Sequence, residues 1–121
     1  MPKTVLIVDD DPDIRETIGI ILADEGFEVQ LAANGAEALA QLRAGAPAQL
    51  ILLDLMMPVM NGWQFRVEQE KDAGLREIPV IVISADNNLP DKARAFGGRY
   101  LAKPLDIDDL LEIITSVKAE S

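Results

Sequence analysis

Leu50-Ile51-Leu52-Leu53-Asp54-Leu55-Met56-Met57-Pro58-Val59-Met60-Asn61-Gly62 is the stretch that decides how this chain is read. Its first four residues are apolar without alternation. A strand with one wet face would alternate, so this run predicts a strand covered on both faces, as in a parallel sheet. Asp54 then ends the strand, and proline, asparagine and glycine turn the chain toward a helix starting near Gly62. An aspartate could end a strand for the turn alone. Behind four apolar residues and ahead of Met-Met-Pro-Val-Met-Asn-Gly, Asp54 is instead a candidate functional carboxylate.

The same reading extends in both directions. Val5-Leu6-Ile7-Val8 and Val80-Ile81-Val82-Ile83 are further unbroken β-branched and apolar runs, while Phe27 to Leu31 and Tyr100 to Ala102 read as shorter strands. Helix-period segments separate them. Asp11 and Pro12 start one with an Ile14, Ile18, Ile21, Leu22 stripe, and Gly26 stops it. Asn34 and Glu37 form a capping-box pattern ahead of Leu39 and Leu42. A third helix is predicted from Gly62 to about Ala73, a short one over Pro90 to Phe96, and a last one capped by Asp106, with Leu110, Leu111, Ile114 and Val117 inward. Strands joined through helices must be parallel. The fold class is therefore α/β, five βα units, with ligands expected beyond the carboxyl ends of the strands.

Composition removes many chemistries. The chain has 121 residues, 49% of them hydrophobic, enough for one core. It has no cysteine and no histidine, which excludes thiolate sites, Ser-His-Asp and Cys-His catalysis, and histidine-bound metals. Nor can it carry a phosphohistidine. A net charge of −10 argues against nucleic-acid binding, which needs clustered Lys and Arg. No apolar run approaches the roughly 18 residues of a membrane span. Met1-Pro2-Lys3-Thr4 leads directly into a strand and is not read as a signal peptide. The expectation is a cytoplasmic protein.

At the predicted strand ends stand Asp9-Asp10-Asp11, Asp54, Ser84 and, after the last strand, Lys103-Pro104. Carboxylates brought together repel, by on the order of 4 kcal/mol for a pair at about 4 Å in an effective dielectric near 20. A cation must offset this. The donors are all oxygen, which selects a hard ion, and an open site with few ligands suits Mg²⁺ better than Ca²⁺. A carboxylate beside Mg²⁺, a hydroxyl and an ammonium is equipped for phosphoryl transfer to Asp54. Asp11 is read as a helix cap, the methionines as packing, and Trp63 as a spectroscopic probe near the site.

Val5 to Asp11, Leu53 to Gly62, Ser84-Ala85 and Tyr100-Leu101-Ala102-Lys103-Pro104 together resemble, in order and spacing, the receiver domains of two-component response regulators. The resemblance covers essentially the whole chain. It implies a flavodoxin-like doubly wound (βα)5 three-layer sandwich with a parallel sheet in the order 2-1-3-4-5. Asp54 would be the phosphorylation site. Asp10 and Asp54 would bind Mg²⁺ directly, Asp9 through water, and the Met56 backbone carbonyl would be a further ligand. Lys103 would pair with the phosphoryl group, Ser84 and Tyr100 would form the switch pair, and the Lys103-Pro104 bond would be cis. Met56 and Asp86 occupy the positions that tune hydrolysis of the phosphate, the sign of the Asp86 effect being open. The donor would be a histidine kinase or a histidine phosphotransfer protein, acting on a monomer or weak dimer with an unknown downstream protein target. Residues 1–121 would make one receiver without an output domain.

Two features depart from the family pattern. The interval from Ser84 to Lys103 is a few residues short, and Phe96-Gly97-Gly98-Arg99 replaces the usual turn before the aromatic. Both weaken any expectation that the helix-four, strand-five, helix-five face serves for output. Two rival readings follow. A degenerate receiver, never phosphorylated, would be a pure interaction module; the intact Asp9, Asp10, Asp54, Ser84, Lys103 set argues against it. A haloacid-dehalogenase-like phosphatase would want a second Asp where Met56 stands.

Overall fold

The structure, a computed structural model, describes residues 3–45, 47–85 and 88–120, and the side chains of all of these except 118–120. In chain order the elements are β1 (Thr4–Val8), α1 (Pro12–Asp24), β2 (Glu28–Ala32), α2 (Gly35–Arg43), β3 (Leu50–Asp54), α3 (Gly62–Lys71), β4 (Val80–Ser84), α4 (Leu89–Ala93), a 3₁₀ turn (Arg94–Phe96), β5 (Tyr100–Ala102) and α5 (Ile107–Glu120). The strands form one parallel sheet in the order β2-β1-β3-β4-β5. The three central strands are buried along their whole length, as the unbroken apolar runs require. β2 and β5, at the edges, carry exposed residues.

Helices cover both faces and divide the core. Leu6, Val8, Leu53, Val82 and Phe65 pack on one side with α2, α3 and α4. Val5, Ile7, Leu52, Ile83, Ile18, Leu22, Leu110 and Ile114 pack on the other with α1 and α5. Alternate residues of one strand therefore supply opposite layers.

The caps work as the sequence indicates. Asp11 accepts from the Asp13 and Ile14 amides, Asn34 from Glu37, and Asp106 from Asp108 and Asp109. Glu37 differs in one respect: its carboxylate reaches back to the Ala33 amide rather than to that of Asn34. A full capping box occurs at Asn61 and Gln64, where the sequence reading did not place one.

Three boundaries move. β2 runs from Glu28 to Ala32, one residue later than expected, because the Phe27 amide donates to the Leu22 carbonyl (3.0 Å) and holds Phe27 in the turn. α3 ends at Lys71 rather than near Ala73, since Asp72 turns extended (φ −104°, ψ 110°) and accepts from the Gly74 amide. The short fourth helix begins at Leu89, and its last turn, Arg94 to Phe96, tightens to 3₁₀.

Candidate functional site

The site lies at the carboxyl edge of the sheet. Val8 pairs with Leu53 in register, so Asp9 and Asp54 leave neighbouring strands side by side. Asp9 is completely buried. Its Oδ1 accepts from the Asp11 amide at 2.9 Å, and its carbonyl accepts from Arg15 Nη1 at 2.7 Å. Asp54 Oδ1 accepts from the Met56 amide at 3.1 Å. Lys103, delivered just after β5, places Nζ 2.9 Å from Asp9 Oδ2 and 3.1 Å from Asp54 Oδ2. Asp9, Asp10 and Asp54 each offer an oxygen within 4.8 Å of the others. Asp10 is exposed, and Asp54 is buried with 6% of its side chain accessible.

Burial, more than any other influence, pushes the Asp54 carboxyl up to about 6, and the Asp9 charge adds to this. The Met56 amide and the Lys103 charge pull the other way without cancelling it. For Lys103, burial works to lower the pKa, but the contacts and charges of Asp9 and Asp54 outweigh it and the ammonium is held above its ordinary value. One ammonium faces three carboxylates, so negative charge is left over.

That excess bears on whether a divalent cation fits. Asp9 Oδ2 is buried and has no aligned hydrogen-bond donor; its contact with Lys103 is an ion pair only. The Lys103 ammonium compensates that oxygen in part but is shared with Asp54, so the cluster of three carboxylates still calls for further positive charge. The donors are oxygen throughout, one of them in a solvent-exposed residue. This is the ligand chemistry of a hard, partly hydrated dication.

The remaining predicted residues fall as follows. Ser84 ends β4, buried, and its carbonyl accepts from the Lys103 amide at 2.9 Å. Tyr100 opens β5, level with Val82, and is 39% exposed, so the ring lies outward. The Lys103-Pro104 bond is cis. Met56 is exposed, with its amide turned to Asp54. Asp86 lies outside the described residues. Trp63, at the start of α3, packs on Phe96 with ring centroids 5.1 Å apart. Beside the site, a groove of about 350 Å³ runs along α1, lined by Ile14, Ile18, Ile21, Pro104 and Leu110 among others. Two contributors were not foreseen. Arg15 braces the Asp9 backbone. Val59 sits at φ 68° in the loop after β3, in a tight turn where the Met60 amide donates to the Pro58 carbonyl at 2.7 Å.

The sequence profile of the response regulator receiver domain matches residues 5–115. The chain belongs to the response regulator receiver family. This receiver is 36% identical over 122 residues to response regulator Rre1 of Synechocystis sp., covering 98% of the chain and 52% of the relative. It is 36% identical over 118 residues to protein PilH of Pseudomonas aeruginosa, covering 95% and 97%. The chain thus spans about half the length of some curated relatives it matches, Rre1 among them, and nearly all of PilH. The structure of the chemotaxis response regulator CheY4 of Vibrio cholerae superimposes with a TM-score of 0.87 at 32% identity, covering 97% of the receiver and 99% of CheY4. The flavodoxin-like fold and strand order are those expected. Receivers are phosphoacceptor signalling domains rather than conventional enzymes, and they generally bind Mg²⁺ at an acidic pocket. Among the described residues no helix is long and apolar enough to cross a membrane.

Proposed function

We propose that this receiver takes a phosphoryl group onto Asp54 from the phosphohistidine of a histidine kinase or phosphotransfer protein. The reading is carried by one observation: Lys103 Nζ bridges Asp9 and Asp54 at 2.9 and 3.1 Å inside the three-carboxylate cluster. Asp54 forms the new O–P bond as the donor's N–P bond breaks, and the imidazole leaves with the bonding pair. Attack needs the carboxylate. With a pKa near 6, Asp54 is mostly ionised at neutral pH. Asp9, Asp10, Asp54 and the Met56 carbonyl would hold Mg²⁺, which when bound neutralises charge on the phosphoryl oxygens. Lys103 already touches the Asp54 oxygen, and it needs only a small shift to pair with a phosphoryl oxygen instead.

Ser84 and Tyr100 are the proposed switch. After transfer, the Ser84 hydroxyl hydrogen-bonds the phosphoryl group and the outward ring of Tyr100 moves into the space vacated, shifting the β4-α4-β5 region between two states. Met56 and Asp86 tune hydrolysis. The donor protein docks along α1, whose apolar groove ends at Pro104 beside Lys103.

The test is an intact mass measured after incubation with Mg²⁺ and phosphoramidate. The expected result is one base-labile phosphoryl group, absent in Asp54→Asn and absent without the metal. An unmodified mass favours a non-phosphorylated interaction module. Continuous release of phosphate from an ester favours a phosphatase. Either outcome overturns the reading.

A further inference from the structure

The loop from Leu55 to Asn61 carries the Met56 carbonyl, and it is held from outside by a residue that no chemistry of the site calls for. Gly35, the first residue of α2 and buried, donates its amide to the Met60 carbonyl at 3.0 Å. A Cβ built on Gly35 would stand 2.9 Å from that same carbonyl oxygen, 2.9 Å from Met60 Cγ and 3.1 Å from Sδ. The methionine side chain could give way, but the carbonyl could not without moving the loop. Helix propensity alone would favour alanine at this position, and its backbone is not in the left-handed region that asks for glycine. Close approach is what the glycine serves.

What it approaches is the strained part of the loop. Met60 closes the turn around Val59, a β-branched residue at φ 68°. Such a conformation persists only when its surroundings impose it. Gly35 fastens one end of that turn, and the Gly62 amide, donating to the Leu55 carbonyl at 3.0 Å, closes the base of the loop.

We infer that Gly35 is a positioning residue for the cation site: by clamping Met60 it fixes the loop that presents the Met56 carbonyl beside Asp54. The inference rests on the proposed Mg²⁺ reading. Residues that orient ligands typically change metal affinity by about 10–100-fold when altered.

Calorimetric titration of Mg²⁺ into the full chain tests this. The expected result is binding about tenfold weaker for Gly35→Ala than for the unaltered protein. Gly45→Ala is the control. Gly45 follows the other end of the same helix at φ 97° with nothing within 4 Å, so its substitution strains the backbone without touching the loop. It should leave Mg²⁺ affinity unchanged. Equal affinity for Gly35→Ala and the unaltered chain overturns the inference alone, as does an equal loss in Gly45→Ala. No Mg²⁺ binding by the unaltered chain overturns the cation reading itself. Amide exchange of Gly35 in the unaltered protein needs no variant: if the closed clamp favours the cation, reciprocity requires saturating Mg²⁺ to slow that exchange, and unchanged exchange overturns the clamp.

Discussion

Two connections leave the carboxyl edge of the sheet beside the candidate site, and they are built differently. The one after β3 is tied by hydrogen bonds to its own backbone and to α2. Met56 donates to Asp54, Met60 to Pro58, Gly35 to Met60, Gly62 to Leu55, and Asn61 and Gln64 cap each other reciprocally. The one between β4 and β5 has backbone ties too, Lys92 to Asn88 (3.1 Å) and Gly98 to Ala93 (2.9 Å) among its described residues, but it also leans on side chains reaching across from α3. Asn88 sits left-handed (φ 56°) with no side-chain cap, α4 has five residues, and Gly97 and Gly98 (φ 96° and 89°) close the segment. Arg66 Nε donates to the Ala95 carbonyl at 2.9 Å and its guanidinium lies 5.9 Å from the Phe96 ring, with Trp63 packed on the same ring. The two connections therefore differ in what a single side-chain substitution can release.

The sharpest way to break the comparison is to remove the anchor. Phe96 is 2% exposed, and Phe96→Ala should cost about 3 kcal/mol in urea unfolding. Exchange of the Lys92, Gly97 and Gly98 amides should speed up most, while Mg²⁺ affinity stays near that of the unaltered chain. A matching loss of Mg²⁺ affinity would show that the two connections are one unit.

Lys103→Met tests the tied side. Removing the ammonium leaves the buried Asp9 and Asp54 carboxylates facing each other, a loss of about 3 kcal/mol at neutral pH. The loss should shrink as pH falls toward 6, because without the lowering influence of Lys103 the Asp54 carboxyl takes its proton above its present value of about 6 and the repulsion ends. Unfolding curves at pH 7.5 and pH 5 check both the size and the trend.

Asp54→Asn should go in the opposite direction. A carboxyl whose folded pKa, about 6, exceeds its unfolded value of 3.8 binds protons more readily when folded. It therefore lowers stability as pH rises from about 4 to 6, and the full cost is present above 6. Relieving it should stabilise the metal-free protein by about 1–2 kcal/mol at pH 7, the gain fading as pH falls toward 4. Mg²⁺ should narrow or reverse the difference, since only the carboxylate gains from the cation. A gain independent of pH would exclude burial of the Asp54 charge as its source.

The same contrast explains what the sequence disclosed. The unbroken apolar runs located the three central strands because a strand buried on both faces has no polar residue to mislead the reading. Asp9 and Asp54 were legible because each sits at a strand end fixed by such a run, whereas Lys103, after the short edge strand, was legible only through its neighbours Tyr100 and Pro104 and the family pattern. Boundaries moved where a local hydrogen bond decided them, as at Phe27 and Asp72. The Gly35 clamp joins residues far apart along the chain, the Arg15 brace ties α1 to the strand end before it, and no period or motif marks such contacts. Val59 was the least visible of all, since a valine in a turn gives no sign of its φ.

That residue gives the mildest test. Left-handed backbone is unfavourable for a β-branched side chain, and asparagine adopts it more readily. Val59 is 81% exposed, so its side chain contributes little packing that a substitution could lose. Val59→Asn should therefore raise stability by about 1 kcal/mol, seen as a higher urea midpoint with an unchanged slope. If Gly35 holds the turn in place against strain, the stability lost in Gly35→Ala should be smaller in the Val59→Asn background, because the relieved turn no longer pulls on its clamp. Additive losses would mean that clamp and turn are mechanically separate, and that the backbone ties of the β3–α3 connection act one by one.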